Sequence, residues 1–99
     1  MVSRHMANDD IIARMRAVLA DYEAGRVRPD DVERSIRFNI EALEALPYAR
    51  INEADMLCHR LVTAHMFVGQ EEFIGVEDVA KVLADFRTFL ASLPSGGAG

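Results

Sequence analysis

The sequence is poor in residues that carry covalent or metal chemistry. It has one cysteine, Cys58, which excludes an internal disulfide, and only three histidines. An unpaired cysteine fits a reducing cytoplasm. No apolar run approaches the ~18 residues of a membrane span, and the N-terminus lacks the apolar core of a signal peptide. These absences predict a cytoplasmic protein with no membrane segment.

Basic residues are also scarce, which bears on the class of partner. The sequence has eleven Lys and Arg residues and sixteen Asp and Glu residues, which give a net charge of −5. Residues 1–50 carry nine acids and eight bases, whereas residues 51–99 carry seven acids and three bases. A nucleic-acid binder needs a basic footprint, so the charge argues against DNA or RNA. It favours a basic protein partner, although mild acidity also serves solubility.

Prolines and glycines are few, and their positions divide the chain. Gly25, Pro47, residues 69–75 and Pro94 separate four segments of helical length. We predict helices that start at Asn8, near Pro29, at Asn52 and near Val76, and that end before these breaks. The third start rests on Asn52 followed by Asp55, a variant of the capping-box spacing.

Each predicted helix carries an apolar stripe at helical spacing. The first stripe is Ile11, Met15, Val18 and Tyr22, and the second is Val32, Ile36, Ile40 or Asn39, Leu43 and Leu46. The third is Leu57, Leu61, Ala64 or His65, and Val68, and the fourth is Val79, Leu83, Phe86, Leu90 and Leu93, with Val82 and Phe89 alongside.

The third helix is apolar on several faces, which predicts a central helix on which the others pack. Met15, Met56 and Met66 are interpreted as core filler. Apolar residues that exceed the needs of the stripes also allow a homodimer; these are Phe38, Met66, Phe67 and Phe89.

The predicted fold is an all-α, single-domain, antiparallel four-helix bundle over residues 8–94, because short connections imply antiparallel neighbours. Residues 1–7 are predicted to be a disordered N-terminus, or a cloning remnant, since MVSRHM at positions 1–6 is typical of such a junction. Residues 95–99 are predicted to be a flexible tail.

Two residue pairs are candidates for metal binding or nucleophilic catalysis. Asp55 and His59 have the four-residue spacing of helical metal ligands, but a site needs three or four ligands. They are better interpreted as a surface ion pair. Cys58 and His65 lie two turns apart, roughly 10 Å along the axis, too far to share a hydrogen bond. Cys58 is therefore interpreted as a small buried residue and His65 as a core or boundary histidine.

Glu41 and Glu44 are a candidate acid–base pair, but that chemistry needs a cleft, and both fall on the predicted polar face of the second helix. The sequence therefore predicts no enzyme, no metal and no cofactor.

The connection before the fourth helix combines acids with large apolar residues. Such a segment either closes the end of the bundle and caps the fourth helix, or forms a recognition surface with an apolar anchor ringed by charge. The predicted partner-binding residues are Glu71, Glu72, Phe73, Ile74, Glu77 and Asp78.

Residues 19–36 (LADYEAGRVRPDDVERSI) resemble the opening hairpin of the small colicin D immunity proteins and related bacterial immunity proteins. Residues 57–73 and 76–90 are similar to that family's third and fourth helices. The resemblance spans about 80 residues and implies a four-helix bundle that binds a tRNA-cleaving toxin domain by placing acids in its basic groove. The corresponding acids here would be Glu71, Glu72, Glu77 and Asp78.

The resulting functional hypothesis is a non-enzymatic, protein-binding module, an immunity-type inhibitor that occludes a basic toxin nuclease domain. The alternative is a small helical dimerisation or adaptor protein that uses the surplus apolar residues.

Overall fold

A computed structural model of the chain describes residues 8–43, 46–68 and 77–94, which form four α-helices and no strand. The helices are α1 (Asn8–Glu23), α2 (Pro29–Ala42), α3 (Tyr48–Met66) and α4 (Val79–Ser92). The predicted all-α four-helix bundle is confirmed. Its antiparallel order stays a prediction for the bundle as a whole.

Each helix packs against two neighbours. α1 contacts α2 and α4, and α3 contacts α2 and α4, whereas α1 and α3 lie across the diagonal without close backbone approach. The prediction that α3 is the central helix is therefore wrong. A helix at a corner keeps an outward face, and α3 keeps one along its whole length.

Gly25 ends α1 as the sequence predicts. Its φ of +78° is the left-handed conformation that glycine adopts without strain. The Arg26 N–H donates to the Asp21 carbonyl at 2.9 Å and the Gly25 N–H donates to the Tyr22 carbonyl at 3.0 Å. This is the paired bonding of a Schellman motif. It satisfies the last carbonyls of α1 and turns the chain toward α2.

Pro47 begins a helix rather than ending one. α2 ends at Ala42, and Pro47 is the N-cap residue of α3, where its carbonyl accepts from the Arg50 and Ile51 N–H groups at 2.9 and 3.2 Å. The predicted start at Asn52 was four residues late. A proline before the first turn loses no helical hydrogen bond, so α3 extends back to it.

The core joins all four helices. The predicted stripes of α2 and α4 are confirmed, except that Leu46 and Val79 are half-buried. The buried face of α1 differs from the predicted stripe. Ile12 and Leu19 are buried, while Val18 and Tyr22 are only half-buried. Because α1 packs on both α2 and α4, it buries a wider face than one four-three stripe.

One polar side chain is part of this core. Asn39 is buried, and its amide Nδ2 donates to the Ser35 carbonyl at 2.8 Å. This bond, one turn back along α2, satisfies a group whose burial would otherwise be costly.

Candidate functional site

Two of the six predicted partner-binding residues lie in the described part of the chain. Glu71, Glu72, Phe73 and Ile74 fall outside the described residues. Glu77 is half-buried and Asp78 is exposed, immediately before α4. The structure therefore describes only Glu77 and Asp78 of the predicted acidic surface.

Glu77 is held by Arg60 of α3. Arg60 Nε donates to Glu77 Oε1 at 2.7 Å, and Arg60 Nη2 contacts the other carboxylate oxygen. The same Nη2 donates to Asp85 Oδ2 at 2.7 Å, and Lys81 Nζ reaches that oxygen at 3.0 Å. These four side chains, the Arg60 network, join α3 to α4. A bidentate guanidinium–carboxylate pair is among the stronger hydrogen-bonded arrangements.

The network stabilises the ionised forms of Arg60, Glu77 and Asp85. Hydrogen bonds from Arg60 lower the pKa values of the Glu77 and Asp85 carboxyls, with a further hydrogen bond from Lys81 acting on Asp85. The same bonds raise the pKa of the Arg60 guanidinium. All of these groups therefore stay ionised at neutral pH, and Glu77 is engaged within the fold.

Asp78 caps α4. Its Oδ1 accepts a hydrogen bond from the Ala80 N–H at 3.2 Å, and its backbone is extended, as an N-cap requires. The predicted start near Val76 was therefore about three residues early. The sequence-based interpretation that acids cap the fourth helix is confirmed for Asp78.

Cys58 has the character that the sequence predicts. It is 1% exposed and unpaired, and burial raises the pKa of its thiol to about 12. A thiol that stays protonated at neutral pH is a poor nucleophile. Cys58 belongs to the core.

The predicted Asp55–His59 ion pair is replaced by a different one. Asp55 Oδ1 lies 3.4 Å from Nε of Arg37 on α2, and Arg37 also contacts Glu33 at 3.0 Å. Asp55 pairs with Arg37 because the packing of α2 against α3 places the Arg37 guanidinium beside the Asp55 carboxylate. In the described segments, no group of three or more His, Cys, Asp or Glu side chains has the arrangement of a metal site.

His65 of α3 contacts α1, the helix diagonally opposite in the bundle. It is exposed, as a boundary histidine would be, and its Nδ1 lies 2.7 Å from the Tyr22 hydroxyl. The two rings meet edge to face with centroids 5.7 Å apart, and burial raises the pKa of Tyr22. The pair lines a cleft of about 800 Å³ where α1 and α3 end. The contact links two helices whose backbones do not approach closely.

The outward face of α3 was not predicted from the sequence. Six residues spaced at four, four, three, four and three positions share this face, and we call them the α3 outer stripe: Tyr48, Asn52, Met56, His59, Thr63 and Met66. All are exposed except Thr63, which is half-buried. The stripe contains no Asp, Glu, Lys or Arg.

Two residues of the stripe correct the sequence-based interpretation. Met56 and Met66 are predicted to fill the core, but they are 64% and 66% exposed; of the three methionines in the described residues, only Met15 is buried. Val68, predicted for the buried stripe of α3, is 64% exposed. The signal that could have shown this is local: the two methionines share their helical face with Asn52 and Thr63, which are polar.

The stripe is bordered by ion pairs on both sides. Asp55, on its α2 side, pairs with Arg37, and Arg60, on its α4 side, belongs to the Arg60 network. A groove of about 530 Å³ runs between α3 and α4 beside Met56. Arg50 lines this groove, with its guanidinium over the Phe89 ring at 5.1 Å, and also contacts Ser92. An uncharged centre with a charged rim is the anatomy of a protein interface.

The other exposed helix faces differ from this one. On α2 the exposed residues include Arg34, Arg37 and Glu41 around the single exposed Phe38. Phe38 was expected to be surplus to the core, and it is 68% exposed. Phe89, named with it, is 3% exposed and belongs to the core. Among the described helices, only α3 has several large exposed side chains in line on an uncharged face.

Comparison with known proteins adds no relative: no protein-family model, curated protein or solved structure matches the chain. The resemblance to colicin D immunity proteins stays a prediction. None of the described helices is long and apolar enough to cross a membrane.

Proposed function

We propose that this chain is a non-enzymatic, protein-binding module of the cytoplasm, and that the α3 outer stripe is its contact surface. The observation that carries the proposal is the exposure of Tyr48, Met56 and Met66, between 64% and 75%, in line on an uncharged helix face. Tyr and Met are enriched at protein interfaces, and Met adapts its shape to a partner surface.

The energetics favour contact through this face. Burying a side chain of this size gains roughly 1.5–3 kcal/mol before ordering costs are subtracted. No charged group of the stripe has to be desolvated, which removes the main cost of covering a helix face. The buried, protonated Cys58 fits the cytoplasmic and non-enzymatic parts of the proposal.

Site-specific photo-cross-linking in the cells that express the chain tests this proposal. A photoreactive phenylalanine analogue replaces Met56, and in a matched control it replaces Ala17, an exposed residue of α1. We expect a discrete adduct, identified by mass spectrometry, from position 56 and none from position 17. No adduct at position 56, or equal adducts from both positions, contradicts the proposal.

A second candidate is immunity-type inhibition of a basic nuclease domain. The charge of −5 supports it. Since Glu77 and Asp78 serve Arg60 and the α4 N-terminus, recognition would fall mainly to Glu71 and Glu72. The test is salt-sensitive co-purification with a basic nuclease domain encoded beside this chain. Charge reversal of Glu71 and Glu72 should weaken binding without changing the thermal midpoint; unchanged affinity rejects this surface.

A further inference from the structure

The α3 outer stripe is nearly symmetric about its own midpoint, which lies between Leu57 and Cys58. Met56 and His59 are equally distant from that point, and so are Asn52 and Thr63. Tyr48 and Met66 differ in distance by one residue, a rise of about 1.5 Å. The stripe therefore has almost the same spacing read in either direction.

From this symmetry we infer that the occupant of the stripe is a second copy of the chain, with the two α3 helices antiparallel about a two-fold axis. The inference rests on the proposed function. A two-fold interface uses the same patch on both copies, so the patch must be complementary to its own reversed image. The α3 outer stripe is complementary to its own reversed image, both in the spacing of its residues and in the chemistry of the side chains that face each other.

The facing side chains are chemically matched in this register. The Tyr48 ring meets the Met66 thioether, a favourable sulfur–aromatic contact. The Asn52 amide meets the Thr63 hydroxyl, and each can donate to the other. A parallel register would instead place like residues opposite each other, Tyr48 on Tyr48 and Asn52 on Asn52.

The α4-facing rim of α3 does not oppose this register. Glu53 and Arg60 lie on that side of α3, and each is already paired within its own copy, Glu53 with Arg50 and Arg60 with Glu77 and Asp85. The register is therefore set by the uncharged stripe. The groove beside Met56 lies at the same rim, so the flexible Met56 side chain of the second copy can enter it.

The size of the contact sets its strength. α3 has 19 residues, so it is about 28 Å long and about 10 Å wide, with a footprint on the order of 300 Å². Standard interfaces bury about 800 Å² per partner. The dimer should therefore be weak and reversible, with a dissociation constant in the micromolar range or above.

Disulfide trapping with two single-cysteine additions tests the second copy and its register together. One protein carries Asn52→Cys and the other carries Thr63→Cys, and the native Cys58 stays buried. Mixed under mild oxidation, the two should form a covalent heterodimer. Each alone should not, because two copies of position 52 lie about 16 Å apart along the axis. Arg34→Cys mixed with Ala17→Cys, on α2 and α1, is the collisional control.

The outcomes separate the two proposals. A disulfide in the mixture at a rate well above the control supports the antiparallel dimer. A disulfide from Asn52→Cys alone overturns the antiparallel register. A rate equal to the control overturns the second copy, and the photo-adduct at position 56 then decides separately whether the stripe binds another protein.

Discussion

Gly25 shows how one residue's conformation sets the connection between two helices. Its φ of +78° costs about 1–2 kcal/mol for a residue with a Cβ. A Cβ there would meet no atom within 4 Å, so the cost comes from the backbone alone. Gly25→Ala should lower the free energy of unfolding by about 1 kcal/mol, and Gly25→Asn by less, because asparagine tolerates this conformation. Urea unfolding measures both; equal stability of all three proteins would show that the turn is not strained.

Cys58 gives a residue-scale test of the core. Its thiol is buried and its pKa is raised to about 12, so the reactive thiolate is scarce and inaccessible in the folded protein. A thiol reagent at neutral pH should label Cys58 at the rate at which the core opens, and at once in urea. Labelling of the native protein as fast as in urea would contradict the burial of Cys58 on the inner face of α3.

At the scale of elements, the Arg60 network is the main polar connection between α3 and α4. Arg60→Ala should cost about 1 kcal/mol, a value held down because these groups are partly exposed to solvent. The matched control is Arg34→Ala, which removes one more exposed contact with Asp31, leaves the bond from the Arg28 N–H to Asp31 in place, and should change little. Chemical unfolding of both variants at neutral pH makes the comparison.

The stability from this network should depend on pH. Because Arg60 lowers the pKa values of Glu77 and Asp85, the folded state holds the ionised forms. The contribution is therefore present above their ordinary values, about 4, and is lost as pH falls through the lower folded values. The difference between wild type and Arg60→Ala should shrink in that acidic window. A difference that does not change with pH would show that lost packing of the arginine stem causes it.

The elements also show what the sequence could predict. α2 and α4 were predicted with their buried faces because each has one apolar stripe against polar neighbours. α3 was misread because apolar residues surround it, and spacing alone does not tell Cys58, which is buried, from Met56, which is exposed. The ion pairs between helices could not be predicted from local sequence patterns, because their partners are far apart in the chain. Arg60 and Glu77 are 17 positions apart, and Arg87 contacts Glu23 from 64 positions away.

At the scale of the whole molecule, net charge separates the two classes of partner. Two copies that each carry −5 repel one another, so added salt should strengthen a dimer formed through an uncharged stripe. Binding to a basic nuclease domain should respond in the opposite way, because salt screens the attraction. Measuring the association at low and moderate ionic strength therefore identifies the class. Association of the chain with itself that weakens as salt rises would contradict contact through the stripe.

Sedimentation equilibrium from micromolar to millimolar concentration tests most directly the central claim, that the α3 outer stripe is a contact surface that recognises a second copy. The wild-type mass should rise with concentration from 11.0 kDa toward twice that value. Met56→Glu should remain monomeric, because it places a charge in the uncharged stripe, while Ala17→Glu adds the same charge on α1 and should behave as wild type. A wild-type mass of 11.0 kDa throughout, or identical behaviour of the two variants, would contradict the account.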